Sequence, residues 1–337
     1  MRAIGIILAG GNNNRIGRLS DKRAIAALPV AGSYRAIDFT LSNMSNSRVS
    51  KVAVLPQFNA RSLNEHLSSS KWWDFGRKQG GLYVFTPTVT KNNNSWYQGT
   101  ADALYQNIDF LKKSHEPYVI IATGDGVYKM DYGKVLEAHI AKNADITVVY
   151  TTLKDTDDDL TRFGVLKLDE NERIVEFEEK PEHPKSNLAS MGIYIFNWKL
   201  LRKTLLADMK NADSSHDFGK DIIPALLNDE KKLCAYKYKG YWKDVGTIDS
   251  LWEANMDLLD KNNALDLNDP AWKIYTEDVT ALPQYIGADA VVDRAFITQG
   301  CVVNGKVKNS VLFTGAKVAE GAQVIDSVLM PGAEVAE

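Results

Sequence analysis

A repeated Gly-Ala step near the C-terminus constrains the fold of this chain more than any other feature of its sequence. From Leu282 to Glu337, small and β-branched residues dominate. The steps are Gly287-Ala288, Gly315-Ala316, Gly321-Ala322 and Gly332-Ala333, and Val318, Val324 and Val335 follow the last three at one offset. This approximate six-residue rhythm is typical of a left-handed parallel β-helix, which buries one small aliphatic residue per face. The alternative is a generic β-rich domain.

Strand-like and helix-like stretches alternate over the first 250 or so residues. The predicted strands are 3–8, 51–55, 118–122 and 146–151, and the predicted helices are 60–67, 101–111 and 132–142. This alternation predicts an α/β domain with a mixed, mainly parallel sheet. Ligands of such sheets bind beyond the carboxyl ends of the strands, which here are Gly10-Gly11 and Gly124-Asp125.

The composition changes twice along the chain and predicts three parts. Residues 1–262 form the α/β domain, residues 263–281 are polar, contain Pro270 and form a linker, and residues 282–337 form the β-helix. The rhythm stops at Val335-Ala336-Glu337 without the polar cap that a solenoid normally needs. We therefore expect a truncated β-helix, either because the chain is shortened or because a partner covers its end.

The charge balance and the cysteines narrow the class of protein. Lys and Arg number 40 against 43 Asp and Glu, so there is no basic surplus for nucleic acid or an anionic membrane. No apolar run approaches the ~18 residues of a membrane span, and the N-terminal run is too short for a signal peptide. Cys234 and Cys301 lie far apart and form neither a metal spacing nor a disulfide framework. A reducing cytoplasm fits this pattern.

Two groups of residues at predicted strand ends could handle phosphate and metal. Gly10 and Gly11 let a backbone approach a phosphate, which Arg15 and free N–H groups could hold. Asp125 follows a strand, and Asp244 lies in the segment GYWKDVGT, 240–247. Mg²⁺ often uses one or two carboxylates plus substrate phosphates. The alternatives are a structural turn for the glycines and a cap for Asp125. Spacing alone does not show that the two aspartates meet.

Two further segments have both a functional and a structural interpretation. Lys180 could bind a sugar phosphate with Glu179 accepting from sugar hydroxyls, or both could belong to a solvated charge run. Thr100 could cap a helix, and Gly99 before it could admit a ligand. The five histidines have no metal spacing, and their absence from the β-helix argues against an acyltransferase with a base there.

Several segments together resemble bacterial ADP-glucose pyrophosphorylase, the glucose-1-phosphate adenylyltransferase family. They are YRAIDF from Tyr34, WYQGTADALYQN from Trp96, GDGVYKMDY from Gly124, FEEKP from Phe177, SMGIYIF from Ser190, DFGKDIIP from Asp217 and GYWKDVGT from Gly240. They occur in the family's order over nearly the whole chain. The resemblance implies a Rossmann-like nucleotidyltransferase domain followed by a left-handed parallel β-helix.

The resemblance also implies a reaction and a set of site residues. In the family, the phosphate of glucose 1-phosphate attacks the α-phosphate of ATP, giving ADP-glucose and pyrophosphate. The implied roles are catalysis for Arg15, Asp125 and Lys180; nucleotide binding for Gly10, Gly11, Gly81, Gly99 and Thr100; sugar-phosphate binding for Glu179, Lys180 and Ser190; and Mg²⁺ binding for Asp125 and Asp244.

The departures from the family's pattern lie in segments that bind the triphosphate in the family. The family's first loop reads Gly-Gly-x-Gly-Thr-Arg-Leu, whereas this chain has Asn13 and Asn14 at the fourth and fifth positions. Ile25 replaces a lysine that would meet the triphosphate, and Ser33 replaces another lysine. Losing one charge-assisted contact costs roughly 1.5–3 kcal/mol.

With these departures the chain resembles the regulatory, GlgD-type subunit of the family. The resemblance implies a subunit that is weakly active alone and activates a catalytic homologous subunit in a homo- or hetero-tetramer. One alternative is a fully active enzyme that grips ATP through Arg15, Arg23 and backbone N–H groups. A pyrophosphorylase for another nucleotide or sugar has little support from the motifs.

Overall fold

The computed structural model describes residues 2–11, 14–76, 80–89, 95–153, 160–263, 265–278 and 280–337. Asn12, Asn13 and the side chain of Asn14 lie outside this part. The predicted effect of Asn13 and Asn14 on the first loop therefore stays a prediction.

The helices and strands of the N-terminal domain follow the predicted alternation. The helices are α1 (Ala36–Asn46), α2 (Arg61–His66), α3 (Thr100–Gln106), α4 (Ile108–Ser114), α5 (Tyr132–Ala141), α6 (Trp198–Asp208), α7 (Ile223–Asn228) and α8 (Ile248–Met256). The strands are β1 (Ala3–Ala9), β2 (Pro29–Val30), β3 (Tyr34–Arg35), β4 (Lys51–Pro56), β5 (Gly81–Val84), β6 (Tyr118–Thr123), β7 (Gly126–Tyr128), β8 (Ile146–Thr152), β9 (Gly164–Leu168), β10 (Ile174–Glu179), β11 (Leu188–Asn197), β12 (Leu233–Lys237) and β13 (Trp242–Asp244).

Within the described residues, nine of these strands form one mixed sheet. Its main order is β10-β9-β11-β6-β1-β4-β5, and β8 joins β11 to β12. β6, β1, β4 and β5 are parallel neighbours, whereas β11 runs antiparallel to β6, β8 and β9. Buried aliphatic side chains from both faces of the sheet form two large clusters. The predicted fold class is confirmed, and the parallel half of the sheet brings several strand ends to one edge.

The helix predicted over 101–111 is two helices. α3 ends and α4 begins around Asn107, whose backbone leaves the helical region at φ −107° and ψ 19°. The Asn107 amide donates to the carbonyl of Ala103 at 2.8 Å and to the hydroxyl of Tyr97 at 3.0 Å. The apolar spacing continues across the break because α3 and α4 both face the same core. Periodicity alone could not show the break.

The C-terminal part has parallel strands in stacked coils. Its strands are β14 (Tyr285–Ile286), β15 (Val291–Ile297), β16 (Val302–Val303), β17 (Lys306–Leu312), β18 (Lys317–Val318), β19 (Gln323–Ile325), β20 (Val328–Leu329) and β21 (Glu334–Val335). One sheet runs β14-β16-β18-β21, and the second pairs β17 with β15, β19 and β20, all in parallel. Val303, Val318 and Val324 lie in its core. This is the arrangement that the six-residue rhythm predicts.

The segment predicted as a linker, 263–281, lies along the N-terminal domain. Its described part carries no helix or strand, yet Ile274 is 2% exposed. The Tyr275 amide donates to Ser42 Oγ at 2.8 Å, and Trp272 Nε1 donates to Asn43 Oδ1 at 2.9 Å. Both acceptors lie on α1. We call residues 265–278 the strap, because buried contacts fix them to the domain.

The β-helix contacts the N-terminal domain through the β2–β3 hairpin and α8. Gly32 in the hairpin has φ +79°, and a Cβ there would lie 2.3 Å from a methyl group of Thr298. Trp252 of α8 donates from Nε1 to the carbonyl of Asp326 at 3.0 Å. Among the described residues, we find no helix both long and apolar enough for a membrane span.

Candidate active site

A pocket lies beyond the carboxyl ends of β1, β4 and β6. Leu8 on β1 lies opposite Thr123 on β6, so the residues after both strands emerge side by side. Two adjoining cavities share the lining residues Leu8, Thr100, Thr123, Asp125 and Asp217. The acidic lobe, about 230 Å³, adds Arg162, Glu179, Lys180, Ser190 and Asp244. The glycine lobe, about 320 Å³, adds Gly10, Gly11, Gln57, Phe58 and Gly99.

Two aspartates distant in sequence meet in the acidic lobe. Asp125 leads into β7, which pairs antiparallel with β13 so that Asp244 lies opposite Gly126. The Val245 amide donates to the carbonyl of Asp125 at 3.0 Å, which closes this short ribbon. Burial raises the pKa of Asp125, and repulsion from Asp244 raises it further. Burial also raises the pKa of Asp244. We call Asp125 and Asp244 the acid pair.

Arg162 also belongs to the acidic lobe, and sequence reasoning missed it. It ends a 3-10 turn, Leu160–Arg162, just before β9. Its Nη2 lies 2.5 Å from Asp244 Oδ1, the oxygen that also accepts from the Gly246 amide at 2.9 Å. No local pattern indicates this contact, because 82 residues separate the two side chains.

Lys180 is held at the lobe in an unusual backbone conformation. Its φ is +50°, in the left-handed region that a residue with a Cβ adopts rarely. The Lys180 amide donates to the carbonyl of Phe163 at 3.1 Å, and Lys180 Nζ lies 3.6 Å from Glu179 Oε1. Such backbone strain at a residue whose side chain lines a pocket is typical of functional sites. The predicted Glu179-Lys180 pair therefore lies where a phosphate could reach it.

Glu179 is confined rather than solvated. A Cβ on Gly219 would lie 2.2 Å from Glu179 Oε2, so only glycine allows the carboxylate this position. Burial raises the pKa of Glu179, and the neighbouring Lys180 opposes the rise. The alternative of a solvated charge run is therefore wrong for Glu179, whereas the Lys180 side chain is 59% exposed.

A β-bulge directs Ser190 into the lobe. The pairing of β11 with β8 shifts register between Ser190 and Ile193. Gly192 in the bulge has φ +66° and donates its amide to Ser190 Oγ at 3.3 Å. Bulges often re-aim a side chain beside an active site. Tyr194 lies just after the bulge in the same lobe, and burial raises the pKa of its hydroxyl well above the usual range.

The glycine lobe contains two glycines in different situations. A Cβ on Gly99 would lie 2.3 Å from the carbonyl oxygen of His216, so this glycine permits a close backbone contact. Among the described residues, a Cβ on Gly11 would meet nothing within 4 Å. The described part of the chain therefore leaves room for a ligand beside Gly11, while packing alone already requires Gly99.

Thr100 does not cap α3; the N-cap is Gly99. The Thr100 hydroxyl donates to Asp217 Oδ2 at 2.9 Å and accepts from the Phe218 amide at 2.9 Å. Asp217 in turn caps the π-helical turn Phe218–Ile222 by accepting from the amides of Gly219 and Lys220. Thr100 thus ties α3 to the segment that follows Asp217, a contact across 117 residues that no local motif reveals.

Gly81 lies at the opposite end of the sheet from this pocket. It pairs with Lys51 at the amino end of β4, whereas the pocket begins beyond the carboxyl end of that strand. Its φ of +136° and the bond from its amide to the Ser50 carbonyl at 2.9 Å account for the glycine. The structure therefore does not bring Gly81 to the two lobes, and its predicted contact with the nucleotide stays a prediction.

Arg15 is exposed on the 3-10 turn Asn14–Ser20. Among the described residues that line the two lobes, Arg15 does not appear. Its predicted contact with a phosphate stays a prediction.

The acid pair fits a magnesium ion. It offers carboxylate oxygens, the hard ligands that Mg²⁺ prefers. No group of three or more acidic, histidine or cysteine ligands occurs within the described part of the chain. Mg²⁺ commonly binds through one or two carboxylates and completes its octahedron with water and substrate phosphates. The two aspartates therefore suffice for a metal that arrives with a phosphorylated ligand.

Comparison with known proteins places the chain in a family. Residues 4–261 match the nucleotidyl transferase family. A glucose-1-phosphate adenylyltransferase of Bacillus cytotoxicus is 48% identical over 332 residues, which cover 98% of this chain and 88% of that protein. Proteins of that name from Bacillus thuringiensis and Bacillus anthracis are 48% identical over 334 residues, 99% of this chain and 88% of each relative. The chain belongs to the glucose-1-phosphate adenylyltransferase family.

The second family match covers the C-terminal part. Residues 283–337 match the GlmU-like C-terminal hexapeptide family, which confirms the repeat that the six-residue rhythm predicts. The similarity to the glucose-1-phosphate adenylyltransferases also covers both parts of the chain, because it extends over 98–99% of its length. The assignment to a regulatory type within it stays a prediction.

Proposed function

We propose that this chain is a subunit of a glucose-1-phosphate adenylyltransferase that supplies ADP-glucose for glycogen synthesis in the cytoplasm. The reaction joins ATP and glucose 1-phosphate to give ADP-glucose and pyrophosphate. The observation that carries this proposal is the convergence of the acid pair and Lys180 in one lobe, next to Gly10 and Gly11. The names of the 48% identical relatives support the same substrates.

The chain's own residues would act by positioning and by charge neutralisation. Lys180 and Ser190 orient the phosphate of glucose 1-phosphate, and the Glu179 carboxylate accepts from sugar hydroxyls. One oxygen of that phosphate then attacks the α-phosphorus of ATP, and the bond from the α-phosphorus to the leaving pyrophosphate breaks. Bound Mg²⁺ would neutralise charge on the phosphates, and Asp125 and Asp244 would hold it there.

We further propose that the subunit is regulatory and weakly active alone. Ile25, where the resembling family has a lysine, is 7% exposed and belongs to a buried apolar cluster with Val127 and Val245. Among the described residues that line the glycine lobe, there is no lysine or arginine. A triphosphate carries several negative charges, so a wall without cations supports weak binding of ATP.

A fully active enzyme is the second candidate. The retained acid pair and Lys180 favour it, because a chain without catalytic use would not need the confined and strained arrangement of Glu179 and Lys180. In that case Arg15 and Arg23 would supply the grip on ATP. The proposed partner in the first case is a catalytic homologous subunit in a mixed oligomer, with a tetramer as the proposed size.

Pyrophosphate release from ATP and glucose 1-phosphate distinguishes the candidates. We expect the purified chain to turn over well below 1 s⁻¹, the lower end of ordinary enzyme rates of about 1–1,000 s⁻¹. Adding it to an active homologue should raise the rate above that of the homologue alone. Turnover of the lone chain above about 1 s⁻¹ would establish the fully active enzyme. Sedimentation of the mixture tests the oligomer, since separate boundaries would contradict a mixed assembly.

A further inference from the structure

Arg162 occupies the carboxylate that a metal ion would need. Its guanidinium pairs with Asp244 at 2.5 Å, and the side chains of Arg162 and Asp244 are only 13% and 23% exposed. The guanidinium carbon also lies 5.2 Å from the centroid of the Phe163 ring, which contacts the Trp242 ring at 5.1 Å. A planar guanidinium that rests on an aromatic ring and binds a carboxylate is well held in place.

The charges around the acid pair explain why such a partner is useful. Asp125 and Asp244 place two carboxylates in one lobe, because Asp244 lies opposite Gly126, the residue after Asp125. Arg162 offsets one of these charges and donates directly to Oδ1 of Asp244. A divalent ion that arrives without nucleotide must displace the guanidinium from Asp244. Arg162 then loses its carboxylate partner, and the ion has no phosphate oxygens among its ligands. An ion that arrives with a nucleotide brings phosphate oxygens for both cations.

We propose that Arg162 is the resident counter-ion of Asp244, which keeps free divalent ions from the acid pair and moves to substrate phosphate when the ion arrives with nucleotide. This inference rests on the proposed function, because it takes the acid pair as the metal site. It makes Arg162 a positioning residue of the reaction. It also makes the metal and the phosphorylated ligand bind together rather than one after the other.

The two halves of the proposal predict opposite effects of one substitution. In Arg162→Gln, free Mn²⁺ should bind at least about tenfold more tightly than in the unchanged chain, because a charge-assisted competitor is gone. ADP-glucose in the presence of saturating Mg²⁺ should bind about tenfold or more weakly, because a phosphate donor is gone. Arg162→Lys keeps the charge without the planar fork and should lie between the two.

The experiment titrates Mn²⁺ into the full chain by electron paramagnetic resonance and ADP-glucose with Mg²⁺ by calorimetry. Lys167→Gln, which removes an exposed positive charge from β9 away from the lobe, is the matched control and should change neither affinity. Asp244→Asn should abolish the gain in Mn²⁺ affinity when combined with Arg162→Gln. Thermal unfolding shows whether each variant is folded.

Each outcome supports or overturns the proposal. Equal or weaker binding of Mn²⁺ by Arg162→Gln, or no measurable binding by either protein, overturns the competition. If the glutamine variant does not fold, the same comparison is made with Arg162→Lys, and equal or weaker Mn²⁺ binding by that variant overturns the competition as well. Weakening of both ligands would indicate that Arg162 only supports the shape of the lobe. If the unchanged chain fails to bind ADP-glucose while the Mn²⁺ effect persists, the proposed function fails and the counter-ion role stands.

Discussion

At the scale of single residues, one part of the pocket matches the family's pattern and another part departs from it. Lys180 keeps a strained backbone that directs it to the acidic lobe, and Gly192 keeps the bulge that directs Ser190 there. Ile25, by contrast, lies in a core cluster near the acid pair and contributes no charge. A charge-assisted contact contributes roughly 1.5–3 kcal/mol, so replacing a lysine by this one aliphatic side chain is enough to weaken ATP binding strongly.

Restoring the cation at position 25 tests this interpretation. We expect Ile25→Lys to raise the residual rate of pyrophosphate release at least about tenfold, because a lysine can bury its methylene groups in the cluster and extend its ammonium toward the phosphates. Some stability should be lost, since a buried branched side chain is replaced. Ile25→Met is the control, because it is unbranched and uncharged. An equal gain in both variants, or no gain in either, would show that the defect lies elsewhere.

At the scale of elements, the strands and coils that depend on neighbouring residues are the ones that the sequence predicts correctly. β1 and β6 are short apolar runs followed by glycine, and the prediction of both strands, with the pocket at their carboxyl ends, is correct. The β-helix is predictable because each coil repeats the same short-range packing. The α3–α4 break depends on a bond from Asn107 to Tyr97, and periodicity averages over such a bond.

Two of the site residues that sequence reasoning misinterprets or misses depend on distant contacts. Thr100 bonds to Asp217, and Arg162 bonds to Asp244, so neither contact leaves a local signal. The role predicted for Gly81 comes from resemblance, and a motif does not say at which end of its strand a residue lies. The acidic lobe is predictable only as a set of separate candidates, because antiparallel pairing of β7 with β13 is what joins Asp125 to Asp244.

The two glycines of the glycine lobe predict different responses to the same substitution. Gly99→Ala should destabilise the fold by about 1–3 kcal/mol, because its new Cβ would overlap the His216 carbonyl at the start of α3. Gly11→Ala should leave stability nearly unchanged, because its Cβ would meet none of the described atoms within 4 Å, yet it should weaken ATP binding where the backbone approaches phosphate. Urea unfolding and calorimetry with ATP measure the two effects. Loss of stability in Gly11→Ala, or none in Gly99→Ala, would contradict this assignment.

At the scale of the whole molecule, the strap lies between the two parts of the chain and is bonded to the core of the N-terminal domain. Asp38 on α1 is fully buried and accepts from Thr276 Oγ1 of the strap at 2.6 Å. His66 at the end of α2 lies between Asp38 and Glu277, with ring nitrogens 2.7 Å and 3.2 Å from their carboxylate oxygens. A segment that is polar in sequence is therefore fixed in place by a buried carboxylate, and the β-helix follows directly after it.

Removing His66 tests whether this cluster holds the strap. His66→Ala removes one hydrogen-bond partner of the buried Asp38, which keeps Thr276 Oγ1 and the Arg35 amide, so we expect a loss of about 1.5–3 kcal/mol of unfolding free energy. Because the same ring contacts Glu277, trypsin should also cleave faster after Lys273, which is exposed within the strap. His183→Ala, at an exposed histidine, is the matched control and should change neither quantity. If stability falls while the rate of cleavage at Lys273 under native conditions stays the same, His66 supports α2 alone, and Trp272 and Tyr275 hold the strap through α1.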